Sequence, residues 1–165
     1  MKITNKWIRG NKPCKEALDW WDKKERDPLK VLDLLIKNKK YDWANWFIVR
    51  VMNYKQYVSY AIFAAEQFID IYEKKYVDDI RPRNAIEAVK KCIENPSKEN
   101  KRAAAEAANA TAHTMHPVAY AAYAAAYSRV EAVVEAVDAA VGAVVEGEPL
   151  KIKILNYGIK LMEEK

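Results

Sequence analysis

Glycine is scarce in this chain, with only 4 in 165 residues. None of them forms the glycine-rich loop that cradles phosphates, so the common nucleotide-binding loops are excluded. Only two cysteines occur, Cys14 and Cys92, far apart in sequence. They make no close-spaced metal motif and no disulfide framework, and both thiols are expected to stay reduced. The only histidines are His113 and His116. Their spacing suits a shared metal, but Pro117 places the second one between helices, and no Cys, Asp or Glu stands close by in sequence. A zinc site is therefore not expected. The β-branched alternation that marks strands is almost wholly missing. No apolar run approaches the roughly 18 residues of a membrane span; the nearest, Val118–Tyr127, is mostly alanine and tyrosine. The N-terminal stretch has no uninterrupted apolar segment of the signal-peptide kind. A cytoplasmic protein with no membrane association is expected.

What is present favours helix. Apolar residues make up 51% and charged residues 31%, a soluble, globular balance, with the alanine, lysine and glutamate content of helix formers. The expected fold is all-α: one helical domain over 1–165, a bundle of about seven to nine helices. Residues 1–95 are aromatic and lysine-rich, 96–147 form an alanine-rich antiparallel hairpin, and 148–165 a C-terminal helix. Thr4 is a candidate cap for a first short helix. Asn11 and Pro13 open a second, and Asp27-Pro28 a third. Asp42 is expected to cap a central, buried helix carrying Trp43, Trp46, Phe47, Val49 and Val51, which Asn53 ends. Tyr54–Tyr76 is the long helix, with Tyr57, Tyr60, Ala61, Ala64, Phe68 and Ile71 on one face. After the turn Val77-Asp78-Asp79-Ile80, a helix opens at Arg81-Pro82-Arg83. His116-Pro117 should split the alanine-rich region in two. Its second half carries Tyr120, Tyr123 and Tyr127 on one stripe, then Val130, Val134, Val137, Val141 and Val144/Val145.

The charges among these apolar residues admit two readings. Glu66, Asp70 and Glu73 share one side of the long helix and present the hard ligands a divalent cation takes. All-helical nucleotide pyrophosphatases use such rows in pairs, and the nearest second row, Glu131, Glu135 and Asp138, is expected to face solvent. No metal and no cofactor is expected. The stronger reading is a structural ion-pair network of Arg50, Glu66, Asp70, Asp78, Asp79, Arg81 and Arg83. Arg81 and Arg83 stand at a helix start, the wrong end for cations by the helix dipole, so nearby acids should answer them. Arg50 lies in an apolar helix and needs a carboxylate or carbonyl partner. On this reading Arg81→Ala abolishes folding.

No serine, histidine and acid arrangement suggests a nucleophile, and no catalytic residue is named. An alternative gives Arg81 and Arg83 to a phosphate and Tyr120 and Tyr123 to a base, in a nucleotide or small-ligand binding protein. Aromatics at helical spacing are more often core. Trp20, Trp21 and Tyr41 lie in less apolar surroundings and are candidate anchors for a protein partner. The net charge of +5 comes from scattered lysines that mainly confer solubility, so nucleic acid is not expected as a partner. Alanine-rich helices also suit a homo-oligomer.

The run AIFAAEQFIDIYEKKYVDDIRPRNAIEA, followed by an alanine-rich helical half, resembles an immunity protein family, the Imm-5-like group. The likeness covers Ala61 to about Ala143, and Arg81–Ala88 is its most specific element. The opening ITNKWIRGNKPCKEALDWW and DWANWFIVRVM resemble hypothetical proteins of phages and prophages. The resemblance implies a small all-helical binding protein of a bacterial or phage conflict system. Such a protein neutralises a toxin or defence effector by covering it. It brings no catalytic residues to this chain. A metal-dependent phosphohydrolase is the remaining alternative.

Overall fold

A computed structural model describes residues 2–22, 24, 26–143 and 147–164, with Ile71 described by its backbone only. The protein is all-α. The described residues form ten helices: α1 (Asn5–Gly10), α2 (Lys15–Trp20), α3 (Pro28–Lys37), α4 (Tyr41–Val51), α5 (Tyr54–Lys75), α6 (Arg81–Glu94), α7 (Lys98–Thr111), α8 (His116–Tyr127), α9 (Val130–Gly142) and α10 (Gly147–Glu163). The chain divides into two compact units, Met1–Val51 and Met52–Lys165.

Local chemistry sets most of the boundaries. The Thr4 hydroxyl accepts from the Trp7 amide, and the Asp27 carboxylate from Leu29, with Pro28 in the first turn of α3. Asn53 does not end α4, as expected, but starts α5. Its side chain accepts from the Gln56 amide, while the Gln56 side chain accepts from the Asn53 amide, a reciprocal capping box. Asp42 is not a cap either, because α4 already begins at Tyr41 and places Asp42 in its first turn. The second helix starts at Lys15, after Cys14 rather than Asn11.

In the first unit, the Ile3 amide and carbonyl pair with those of Arg26 in an isolated antiparallel bridge that ties the N-terminus to the approach to α3. Ile8, Val31, Leu32, Leu35, Phe47, Ile48 and Val49 are buried there, and the Trp7 ring meets Phe47 edge-on at 5.5 Å.

In the second unit α8 is central and packs against α5, α6, α7 and α9. Its sequence, HPVAYAAYAAAY, buries alanines on nearly every side. With so little side chain at the contact, neighbouring axes can approach toward the short end of the usual 8–10 Å. Ala104 and Ala108 of α7, Ala132 and Ala136 of α9, and Val58, Ala61 and Ala65 of α5 are all 0–1% exposed. The short connection 112–115 turns α7 back onto α8, giving the alanine-rich hairpin. The helix then stops earlier than its composition suggests. Ser128 takes a left-handed backbone, φ 54°, and α9 restarts at Val130. That break rotates the expected valine stripe. Ala132, Val133, Ala136, Val137 and Ala140 face inward, while Val130, Val134 and Val141 are only half-buried. Val144, Val145 and the Ile71 side chain, expected inward, lie outside the described residues.

Close packing of small residues makes a sharp prediction. Ala122 is 0% exposed at the centre of α8. Ala122→Leu should cost roughly 1–3 kcal/mol through overpacking, read as a lower urea midpoint at unchanged slope. An unchanged midpoint would show that α8 is loosely packed.

Candidate interaction surface

The corner between α5 and α6 joins apolar exposure to tight bracing. Val77 is 78% exposed, Ile80 64% and Tyr76 47%. Large apolar side chains grouped on one short loop carry a hydration cost that a folded chain normally avoids unless something covers them. The loop that carries them is held at several points. Arg81 grips Asp79 with two hydrogen bonds of 2.7 Å, from Nε to Oδ1 and from Nη2 to Oδ2. The Arg81 backbone amide also donates to Asp79 Oδ1 at 3.1 Å. The Tyr72 hydroxyl of α5 donates to Asp79 Oδ2 at 2.7 Å. Arg81 Nη1 reaches the Ala110 carbonyl of α7 at 3.4 Å. One carboxylate thus joins the end of α5 to the start of α6 and, through Arg81, to α7.

A second fork lies beside it. Arg83 Nε donates to Glu73 Oε1 at 2.9 Å, and Nη2 donates to Oε2. Asp70 stands 3.9 Å from the same guanidinium. Planar, bidentate pairs of this kind fix geometry better than a lysine would. They also explain two cations at a helix start: the carboxylates hold them there against the dipole.

The electrostatics follow the contacts. The Arg81 guanidinium, then the Tyr72 hydroxyl, hold Asp79 well below the usual carboxylate range. Arg83 lowers Glu73 in the same way. Hydrogen bonding to Asp79 raises the Tyr72 phenol above its ordinary value. The guanidinium side of each pair is open to solvent, with the Arg81 side chain 52% exposed and Arg83 49%, while Glu73 is 32% and Asp79 14% exposed. Exposed pairs contribute little to global stability. Arg81→Ala is therefore expected to loosen one surface corner rather than to abolish folding.

The other charges are placed separately. Glu66 pairs with Lys90 at 3.3 Å. Asp78 is exposed and has no ion-pair partner among the described residues. Arg50, in the other unit, donates to the Trp46 carbonyl at 2.8 Å and stacks over the Trp46 ring at 4.2 Å. The described residues contain no group of three or more His, Cys, Asp or Glu able to hold a metal ion. Cys14 is exposed, Cys92 is buried, and both are free.

The aromatic candidates divide. Trp21 is 5% exposed, so it belongs to the core and cannot serve as a surface anchor. Its indole Nε1 has no hydrogen-bond partner among the described residues. Trp20 is half-buried, edge-on to Trp43 at 5.9 Å, and Tyr41 is half-buried in the first turn of α4. The tyrosine stripe of α8 is not core. Tyr120 and Tyr123 are half-buried and Tyr127 is 58% exposed. The Tyr123 hydroxyl donates to Asn109 Oδ1 at 2.8 Å, next to the Ala110 that Arg81 reaches. So the fold brings Arg81 and Tyr123 to adjacent residues of α7, but both arginines are already engaged by carboxylates. A phosphate would have to displace Asp79 or Glu73.

Sequence reasoning missed the exposure of Tyr76, which it read as the end of the long helix, and of Val77 and Ile80, which it read as part of a plain turn. The available signal was two aliphatic residues bracketing Asp78-Asp79 in a loop with no helical period. Beside the loop lies a cleft of about 590 Å³ lined by Phe68, Tyr72, Tyr76, Met115 and Pro117, among others.

Together these features describe an all-α protein that displays an apolar loop on an ion-paired brace. Residues 31–147 match a family described as "Family of unknown function (DUF6931)", and the chain belongs to that family. No curated protein and no solved structure matches the chain. No helix among the described residues is long and apolar enough to cross a membrane.

The brace has a pH signature. Asp79 and Glu73 titrate lower in the folded chain than in the unfolded one. Their contribution is therefore complete above the unfolded carboxylate range, near about 4, and fades as pH falls below it. Asp79→Asn should melt below wild type at neutral pH, with the gap narrowing below about pH 4. A gap that stays constant with pH would mean that the carboxylate's charge does not matter.

Proposed function

We propose that this chain is a non-catalytic binding protein that engages a protein partner through the α5–α6 loop. One observation carries the reading: Tyr76, Val77 and Ile80 are 47%, 78% and 64% exposed on a loop fixed by Asp79 and Arg81. An apolar ridge that is ordered before binding loses little conformational entropy on association. Tyrosine and arginine are also the residues that dominate binding hot spots. The resemblance of Ala61–Ala143 to immunity proteins suggests the class of partner, a toxin or defence effector neutralised by being covered. Two free cysteines suit a cytoplasmic setting.

The test is photo-crosslinking in the native host, with benzoylphenylalanine in place of Val77. One major protein adduct is expected, and it should be lost when Ile80→Asp is added. No adduct, or the same adducts from exposed Arg102 on α7, would overturn the reading.

A further inference from the structure

The exposed loop borders two hollows, one lined by its own residues and the cleft beside it. Tyr76 belongs to both: it is half-exposed on the ridge and forms a wall of the cleft. Tyr76 thus links the exposed loop to the cleft. At about 590 Å³ the cleft falls within the size range of small-ligand pockets, roughly 300–1,000 Å³. Its walls mix apolar side chains, Phe68, Met115 and Pro117 among them, with Lys75, Thr114 and His116.

Among the described residues, Lys75 is the one Asp, Glu, Lys or Arg that lines the cleft. Lys74 and Lys75 are exposed, and neither has an ion-pair partner among the described residues. The Lys75 ammonium lies over the Tyr76 ring at 5.3 Å, at the cleft wall. Helix α8 opens at the cleft with no side-chain cap and no acid in its first turn. Its positive dipole end adds to the lysines without making a site by itself. The exposed acid of the loop, Asp78, lines the neighbouring hollow with Arg81.

We infer that this corner binds an acidic, amphipathic segment of a protein partner. An apolar side chain of that segment seats in the cleft behind Tyr76, and flanking carboxylates face Lys74 and Lys75. The inference rests on the loop-binding reading above and adds the partner's chemistry. Apolar anchor and charge rim have separate roles: burial gives affinity, and the lysines select the segment and speed its encounter.

The full-length chain, immobilised, is used to select from a random-peptide display library. A synthetic consensus peptide is then titrated by fluorescence anisotropy. The expected consensus places Leu, Phe or Trp among Asp and Glu. Its binding should weaken about tenfold or more, which is 1.4 kcal/mol or more, in Lys74→Glu/Lys75→Glu. It should not change in Lys98→Glu on α7. Gly142 lines the cleft, and a Cβ there meets nothing within 4 Å. Gly142→Phe should therefore plug the cleft and remove binding at an unchanged melting temperature. A neutral or basic consensus, or peptides bound equally well by the lysine double variant and by Gly142→Phe, would overturn the inference. If Val77 still crosslinks one protein, the loop reading stands and only the acidic chemistry falls. If no peptide is enriched and Val77 gives no adduct, both fall.

Discussion

The Asp79 carboxylate is the joint on which the α5–α6 corner depends. It accepts from the Tyr72 hydroxyl behind it, and from the Arg81 side chain and amide ahead of it. Without those bonds a loop carrying Val77 and Ile80 into water would be free to fold its apolar side chains back onto nearby surface. With them, the backbone on both sides of the apolar residues is fixed, and the side chains stay outward. Each bond alone is weak in solvent. Together they converge on one group, so their effect is positional rather than a large addition to global stability.

That joint needs a stiff base, and the alanine-rich half supplies it. Packed around α8 are α5, α6, α7 and α9, and the buried residues of α7 and α9 are mostly alanine. Arg81 reaches the end of α7 at Ala110, and α7, with Ala104 and Ala108 fully buried, packs against α6 and α8. Thr111, fully buried, satisfies its hydroxyl on the carbonyls of Ala107 and Ala108 and so closes α7 without a lost hydrogen bond. Displacement of the loop would therefore have to move packed helices.

Much of this was legible where the governing physics is local. Thr4, Asp27-Pro28 and Arg81-Pro82 mark helix starts because capping and proline geometry act within a single turn. The alternation of arginine and acid around 78–83 announced the ion pairs, since charges at a helix start need an answer nearby. Asn53 was ambiguous because asparagine can close one helix or open the next. The Gln three residues later decided it in favour of opening. Ser128 was not legible. Nothing in YAAAYSRVEA forbids a continuous helix; the left-handed turn there goes with the packing of α9 against α5 and α8. The exposure of Val77 and Ile80 was hidden for a similar reason. Burial belongs to the whole fold, and a short aliphatic turn reads the same whether it is covered or bare. The tyrosine stripe of α8 misled in the opposite direction, because Val118 and a run of alanines fill the inward faces and leave the rings nearer the surface.

Backbone amide relaxation across residues 76–80 addresses the central claim directly. A loop held by Asp79 should give order parameters close to those of the flanking helices, about 0.85, and they should fall when Asp79 becomes asparagine. Values below about 0.6 in the unaltered protein would contradict a preformed binding ridge.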